Sequence, residues 1–126
     1  MALVYIASVT ASSSATVSFT SGIDSTYNEY QFHFVNMHPQ TDSVNFQFQV
    51  NAHDGSSQLT GFNETITSTF FYAYHRENDG LAALTYNTGN DQAQGTAYQI
   101  ALTAQANNND TGASGILTLY DPASTT

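Results

Sequence analysis

The sequence lacks several of the side chains on which much protein chemistry depends. It contains no cysteine and no lysine, and Arg76 is its single basic residue. The absence of cysteine excludes disulfides, thiolate metal sites and a cysteine nucleophile. A chain without a basic patch cannot neutralise phosphates, so we expect neither nucleic acid nor a membrane surface as a partner. No apolar run reaches the roughly 18 residues needed to span a bilayer.

The residues that are present give a neutral, hydrogen-bonding surface. Only 9% of the 126 residues are charged, and the formal net charge is −9. A chain of this length can form a single domain that buries roughly two-thirds of its unfolded surface. A surface rich in Asn, Gln, Ser and Thr can pack against other subunits or sugars without removing many charges from water. We therefore expect one domain, residues 1–126, with an assembly or binding role.

The apolar residues recur with a period of two, which is typical of strands. Pro39 interrupts the pattern between the runs at 30–35 and 44–50, so these two strands are predicted to form a hairpin or to be neighbours in one sheet. The runs interpreted as strands are 3–8, 15–19, 30–35, 44–50, 64–75, 81–88, 96–106 and 116–120. About eight short strands at this spacing predict an all-β fold, an antiparallel, jelly-roll-like β-sandwich.

The most aromatic stretch of the chain, residues 27–51, is predicted to supply the core. Alternation places one set of residues of its two strands on inward faces: Tyr30, Phe32, Phe34, Val44, Phe46, Phe48 and Val50. Burying a large apolar side chain is worth about 1.5 to 3 kcal/mol, so this pair of strands should stabilise the fold more than any other segment.

Metal binding is not predicted. The four histidines, His33, His38, His53 and His75, fall on polar strand faces or in loops, without the spacing of a metal site. The segments "RENDG" and "NNNDTG" resemble fragments of calcium loops, but they lack the alternating ligands and terminal glutamate. Turn formation explains their Asn, Asp and Gly equally well. Whether the chain binds calcium stays open, and we predict no cofactor.

Catalysis is not predicted either. The chain has no nucleophile elbow, phosphate-binding glycine loop or zinc-protease helix. Four carboxylates, Glu29, Asp42, Glu64 and Glu77, could pair across strands as a glycosidase dyad, which requires a defined separation. A chain with one basic residue has few charged partners to tune such groups. We therefore predict that the protein is not an enzyme and has no catalytic residues.

An interaction surface is the remaining functional candidate. Tyrosines near strand ends or in loops present an amphipathic ring that suits sugar stacking or a subunit interface. The exposed connection "NMHPQTD" adds two residues to this group. The predicted interaction residues are Tyr27, Met37, His38, Tyr74, Tyr86 and Tyr98. The alternative is that the tyrosines lie at the edge of the core with their hydroxyl groups in water.

Four segments, in order along most of the chain, carry a resemblance to a known family. They are "FTSGIDSTYNEYQFHFVNMHPQTD", "FNETITSTFFYAYH", "DQAQGTAYQIAL" and "ASGILTLYDPASTT". These segments resemble a family of small structural proteins in the virions of tailed bacteriophages, especially marine ones. The resemblance implies a β-rich, non-enzymatic component of the particle that is present in several or many copies. Members of the family continue past "LYDPASTT" into more strands, so a C-terminal portion could be lacking here.

The resemblance implies location in the virion but not a position within it. A strand pattern that starts within a few residues of Met1 favours a capsid decoration or cement protein, or another particle-surface subunit. The alternatives are a tail-fibre or receptor-binding module that recognises host surface glycans, and a carbohydrate-binding module. We expect a homo-oligomer that also contacts other virion proteins, because sheet edges must be paired or blunted and lysine is absent.

Overall fold

A computed structural model of the chain describes residues 2–53 and 61–123. Within these two ranges the fold is all-β, with eight strands and one short 3₁₀ helix, Thr88–Asn90. The strands in chain order are β1 (Glu29–Met37), β2 (Val44–Phe48), β3 (Ile66–Thr67), β4 (Phe71–His75), β5 (Ala82–Tyr86), β6 (Ala93–Gly95), β7 (Gln99–Gln105) and β8 (Ala113–Tyr120).

The strands form four antiparallel two-stranded sheets whose pairing is nested. β1 pairs with β8, β2 with β7, β3 with β6 and β4 with β5. The innermost pair is joined by a short turn, and each further pair encloses the previous one along the chain. The predicted all-β class, with antiparallel strands, is therefore confirmed.

The two strands predicted at the N-terminus do not form. Residues 2–28 contain neither helix nor strand, so the predictions for 3–8 and 15–19 are wrong. Alternation of apolar residues provides a strand with its faces, but a strand also needs a neighbouring backbone with which to hydrogen bond. The first strand to find such a neighbour is β1, which pairs with β8 near the other end of the chain.

The predicted pairing of the central aromatic strands is also wrong. β1 and β2 lie in different sheets, because β1 pairs with β8 and β2 pairs with β7. Pro39 does lie in a loop between them, but a loop does not determine which strands match in register.

The single strand predicted over 64–75 is interrupted between β3 and β4. There the backbone N–H of Ser68 donates to the Gln92 carbonyl, and that of Phe70 donates to the Asp91 carboxylate. β6 lies within "GNDQAQG", residues 89–95, which the sequence pattern predicts to be a break between two strands.

The chain divides into two compact units. The first consists of Met1–Gln40 and Asn107–Thr126 and contains the β1–β8 pair. The second is Thr41–Ala106 and contains the other three pairs.

In the first unit, the segment before β1 covers the inner face of that strand. Tyr30 is only 4% exposed, and its hydroxyl donates to the Asp24 carbonyl at 3.0 Å while accepting from the Asp24 N–H at 3.1 Å. Phe19 packs edge-on against Phe32 with their ring centroids 5.6 Å apart. Leu117 and Leu119 of β8 stand opposite Phe32 and Tyr30, so aromatic and aliphatic side chains share this face.

In the second unit, a buried amide organises the backbone around it. Gln99 is 6% exposed, and its Nε2 donates to the carbonyls of Asn90 and Ile100 at 3.0 and 2.9 Å. Its Oε1 accepts from the Ser68 hydroxyl at 2.5 Å, and that hydroxyl accepts from the Gln92 N–H at 2.9 Å. Every polar atom of the Gln99 side chain is therefore bonded, as a buried amide requires.

Candidate interaction surface

The β4–β5 hairpin is closed by a turn that contains three charged residues, Arg76, Glu77 and Asp79. The Arg76 N–H donates to the Leu81 carbonyl at 2.8 Å, and the Asp79 N–H donates to the Arg76 carbonyl at 3.0 Å. Asp79 has a φ of 56°, a left-handed conformation that Asp tolerates better than most residues. Its carboxylate lies 3.1 Å from His75 Nε2.

One face of this hairpin carries an aromatic ladder. Phe70 and Tyr72 have ring centroids 5.9 Å apart, and Tyr72 stacks on Tyr74 at 5.6 Å with an interplanar angle of 29°. Phe70 and Tyr72 are half-buried, as are Ala83 and Thr85 on the neighbouring strand. The rings on this face therefore already have partners within the chain.

The opposite face of the same hairpin is apolar and exposed. It consists of three directly opposed pairs, Phe71 with Tyr86, Ala73 with Leu84, and His75 with Ala82, which we call the outer hairpin face. Phe71 is 68% exposed, Leu84 76% and Tyr86 57%. A contiguous apolar patch of this kind marks an interaction site more often than a free surface.

Asp91 fixes the open end of the hairpin. Its Oδ1 accepts from the Phe70 N–H at 2.6 Å, and its Oδ2 accepts from the Tyr86 hydroxyl. That hydrogen bond, aided by burial and by the negative charge of Asp91, raises the pKa of Tyr86 above its usual value. The Asp91 carboxylate thus holds the Tyr86 hydroxyl, while the Tyr86 ring stays open to solvent.

The outer face of the β1–β8 pair has a different character. It also carries exposed apolar side chains, since Ile116 and Tyr120 lie on it. Glu29, Gln31 and His33 stand opposite or beside them, with the Gln31 amide hydrogen-bonded to both neighbours on its own strand. Polar side chains therefore interrupt the apolar side chains of this face. On the outer hairpin face, His75 is the one residue that does so.

The predicted interaction residues are divided between the two units. Tyr27, Met37 and His38 lie in the first unit: Tyr27 precedes β1 and is exposed, Met37 is the half-buried last residue of β1, and His38 is exposed just after it. Tyr74, Tyr86 and Tyr98 lie in the second unit and are all exposed. Tyr74 and Tyr86 lie on opposite faces of one hairpin, because Tyr74 is paired with Ala83.

The sequence-based selection of tyrosines missed the two most exposed members of the outer hairpin face, Phe71 and Leu84. A signal for Phe71 was available in "FFYAYH", where apolar residues occupy both faces of one predicted strand. A strand of a domain with a single core normally buries only one face, so a second apolar face indicates a second contact.

Glu29 and Glu64, two of the four carboxylates considered as a dyad, have hydrogen-bond partners within the chain. Glu29 Oε1 accepts from the Gln31 amide at 2.8 Å, and Glu64 Oε1 accepts from the Ala52 N–H at 3.0 Å. Glu77 lies in the exposed hairpin turn, and Asp42 lies between β1 and β2.

The candidate metal ligands are distributed along the chain. His33 lies on β1, His38 after it, His53 after β2, and His75 at the end of β4. Within residues 2–53 and 61–123, no three His, Asp or Glu side chains form a group that could hold a metal ion. No helix in this part of the chain is long and apolar enough to cross a membrane.

Comparison with known proteins does not place the chain in a family. Its sequence matches no protein-family model, and no significant similarity to a curated protein or to a solved structure was found.

Proposed function

We propose that the protein is a non-enzymatic structural component of a phage virion, a capsid decoration or cement protein or another particle-surface subunit that acts through subunit packing. The observation that carries the proposal is the outer hairpin face, where large apolar side chains stand in solvent on a regular strand pair. A partner subunit that covers such a face would remove its apolar side chains from water, and this burial would stabilise the assembly. The sequence resemblance supports the setting, a phage particle.

We further propose that the four strand pairs belong to a jelly-roll-like sandwich. The nested order, β1 with β8 through to β4 with β5, supports this arrangement. A jelly roll contains eight strands in two sheets, and folding a long, nested hairpin produces it. Jelly rolls occur in viral capsid and lectin domains, which agrees with a particle-surface role.

The decisive experiment is mass spectrometry of purified virions from the phage that encodes the chain, followed by a reconstruction at side-chain resolution. We expect many copies per particle, two four-stranded sheets per subunit, and the outer hairpin face covered. Absence of the chain from purified particles would overturn the proposal. The position of its density, on the capsid lattice or on the tail, would distinguish a decoration protein from a fibre subunit.

Recognition of host glycans is the second candidate function, either as a receptor-binding module or as a carbohydrate-binding module. The observation that favours it is the exposure of Tyr27 and Tyr98, whose rings could stack on sugars. A glycan array would show hits that disappear when these tyrosines are replaced by alanine. An array without hits would remove this candidate and leave the structural role.

A further inference from the structure

We propose that residues 2–7, which we call the N-terminal arm, add as a third strand to the free edge of β8 in a second copy of this chain. The added strand runs antiparallel to β8. The proposed pairs are Tyr5 with Gly115, Leu3 with Leu117, and Val4 with Ile116. This contact rests on the packing role proposed above for its biological meaning, and it names the partner surface as a sheet edge of an identical chain.

The N-terminal arm has the composition of a strand but no strand partner. Its central residues, Val4, Tyr5 and Ile6, are of the β-branched and aromatic types that favour strands. Within the described residues, no backbone hydrogen bond joins the arm to any other part of the chain. Leu3 is 73% exposed and Tyr5 76%. The backbone groups and apolar side chains of the arm are therefore free to pair with another chain.

The free edge of β8 has none of the features that normally prevent strand addition. β8 is eight residues long and contains neither a charged residue nor a proline. In the part of the chain that the structure describes, β8 pairs with β1 alone, so every second residue directs its N–H and C=O away from β1. The bulge in this pair lies on β1, between Phe34 and Met37, and leaves β8 continuous. The edge is therefore open to a further strand.

Gly115 leaves a gap on the inner face of β8. It stands opposite Phe34 of β1, and a Cβ at Gly115 would meet no atom within 4 Å. An aromatic side chain on a neighbouring strand can cover the backbone of an edge glycine and stabilise the sheet there. Tyr5 is the one aromatic residue of the N-terminal arm. We therefore place Tyr5 beside Gly115.

This register also matches apolar side chains on both faces of the sheet. Leu3 lies beside Leu117 on the inner face, and Val4 lies beside Ile116 on the outer face, where Ile116 is 62% exposed in the single chain. Antiparallel pairing is slightly more stable per residue than parallel pairing. A slip by one residue would move every side chain of the arm to the other face and would take Tyr5 away from the glycine.

The position of the arm in its own chain indicates that a second copy supplies the strand. Ile6 lies against Gly22, where a Cβ would be 2.7 Å from Ile6 Cγ2. The segment that contains Gly22 is held to β1 rather than to β8, because Asp24 is hydrogen-bonded to the Tyr30 hydroxyl. The arm of a single chain is thus occupied away from the edge that it matches.

Charge favours the same partner. The chain has a net charge of −9, so two copies repel each other in general. Residues 1–23 contain no charged side chain, and β8 contains none either. Pairing the arm with β8 therefore joins two uncharged segments, so like-charged copies can make this contact without placing carboxylates opposite each other.

The first experiment is sedimentation velocity of the whole chain up to about 500 μM, because small interfaces are typically weak. We expect concentration-dependent association. Val4→Pro combined with Tyr5→Pro should raise the dissociation constant at least about tenfold, since neighbouring residues direct their N–H groups to opposite sides and one of the two prolines removes a donor to β8. Ala11→Pro combined with Ser12→Pro is the matched control outside the arm and should change it by less than about twofold.

A change in β8 tests the gap at Gly115. Gly115→Val should leave the urea midpoint of the dilute chain unchanged or raised, because its side chain meets open space and favours a strand. The same change should raise the dissociation constant at least about tenfold, because the valine occupies the place of the Tyr5 ring. Circular dichroism of each variant checks that its β-structure is retained.

Cross-linking tests the register. The sequence contains no cysteine, so single-cysteine variants can be mixed and oxidised without background from native thiols. Val4→Cys mixed with Ile116→Cys should form a mixed disulfide, which mass spectrometry identifies. Thr118→Cys is the control on the same face of β8. Its diagonal position relative to residue 4 is too distant for a disulfide, so cross-linking should be at least about fivefold lower.

These results separate the arm contact from the proposed function. A chain that stays monomeric over the whole concentration series would overturn the contact. So would equal effects of the two proline pairs, a Gly115→Val variant that associates as the wild type does, or equal cross-linking at residues 116 and 118. None of these measurements concerns the presence of the chain in virions, and its absence from virions would leave them valid.

Discussion

The β1–β8 pair and the β4–β5 hairpin are both antiparallel and rich in aromatic residues, yet the rest of the chain covers their apolar faces to different extents. On the β1–β8 pair, the segment before β1 folds back over the inner face, and Tyr30 becomes 4% exposed. On the hairpin, one face has its aromatic ladder and the other leaves Phe71 68% exposed. The difference shows that alternation produces apolar faces, while an available segment of chain determines which faces are covered.

The largest expected effect tests the covered face. Tyr30→Ala should lower the free energy of unfolding by about 3 to 4 kcal/mol, because it leaves a cavity and removes the hydroxyl bonded to Asp24. Tyr74→Ala, on a partly exposed ring of the hairpin, should cost no more than about 1.5 kcal/mol. Urea denaturation followed by circular dichroism measures both. Equal costs would contradict the contrast between the two regions.

A smaller effect is expected from the polar core of the second unit. Gln99→Leu should lower the free energy of unfolding by about 2 to 3 kcal/mol, because the Asn90 carbonyl and the Ser68 hydroxyl lose their buried partner. Gln47→Leu, on the exposed side of β2, is the control and should change stability by less than about 0.5 kcal/mol. The same urea titration applies, and a neutral Gln99→Leu would show that the hydrogen-bonded amide does not organise this unit.

The smallest effect concerns pH in the first unit. Hydrogen bonds from the side chain and backbone of Thr26, and then from Tyr30, hold the pKa of Asp24 below its usual value of 3.8. A carboxylate with a lowered folded-state pKa stabilises the fold above its unfolded pKa, and this contribution is lost as pH falls through the folded value. Asp24→Asn should therefore melt below the wild type at pH 6.

At a pH low enough to protonate Asp24 in the folded chain, the two melting temperatures should converge, because the wild-type carboxyl is then neutral as well. Thermal unfolding of both proteins at pH 6 and under strongly acidic conditions measures the difference. A difference that is unchanged in acid would mean that the charge of Asp24 contributes nothing.

Much of the fold class could be predicted from residues alone, but the pairing could not. The inward positions of Tyr30, Phe32 and Phe34 follow from alternation, and the structure confirms that they are buried or half-buried. The partner of β1 lies some 80 residues away in β8, and nothing local in either strand specifies the other. Long-range pairing depends on register, loop closure and competition among all strands, which a local pattern does not contain.

The candidate site was predicted only in part for a related reason. The sequence predicts Tyr86 because an exposed tyrosine suits an interface, but Phe71 and Leu84 join it only through the β4–β5 register. The sequence predicts Met37 as part of the loop after β1, yet Met37 ends that strand and is half-buried. Which side chains share a face is a property of two strands together, so a single strand's sequence identifies candidates but does not group them.

The sequence by itself determined the all-β class, the absence of cysteine chemistry, the acidic charge and the aromatic alternation that forms two-faced strands. Only the tertiary structure decided that β1 pairs with β8, that residues 2–28 pair with no strand, and that the outer hairpin face is left uncovered. The physical reason is that composition and periodicity are local, whereas a backbone hydrogen-bond partner and the cover for an apolar face come from distant parts of the chain or from another chain.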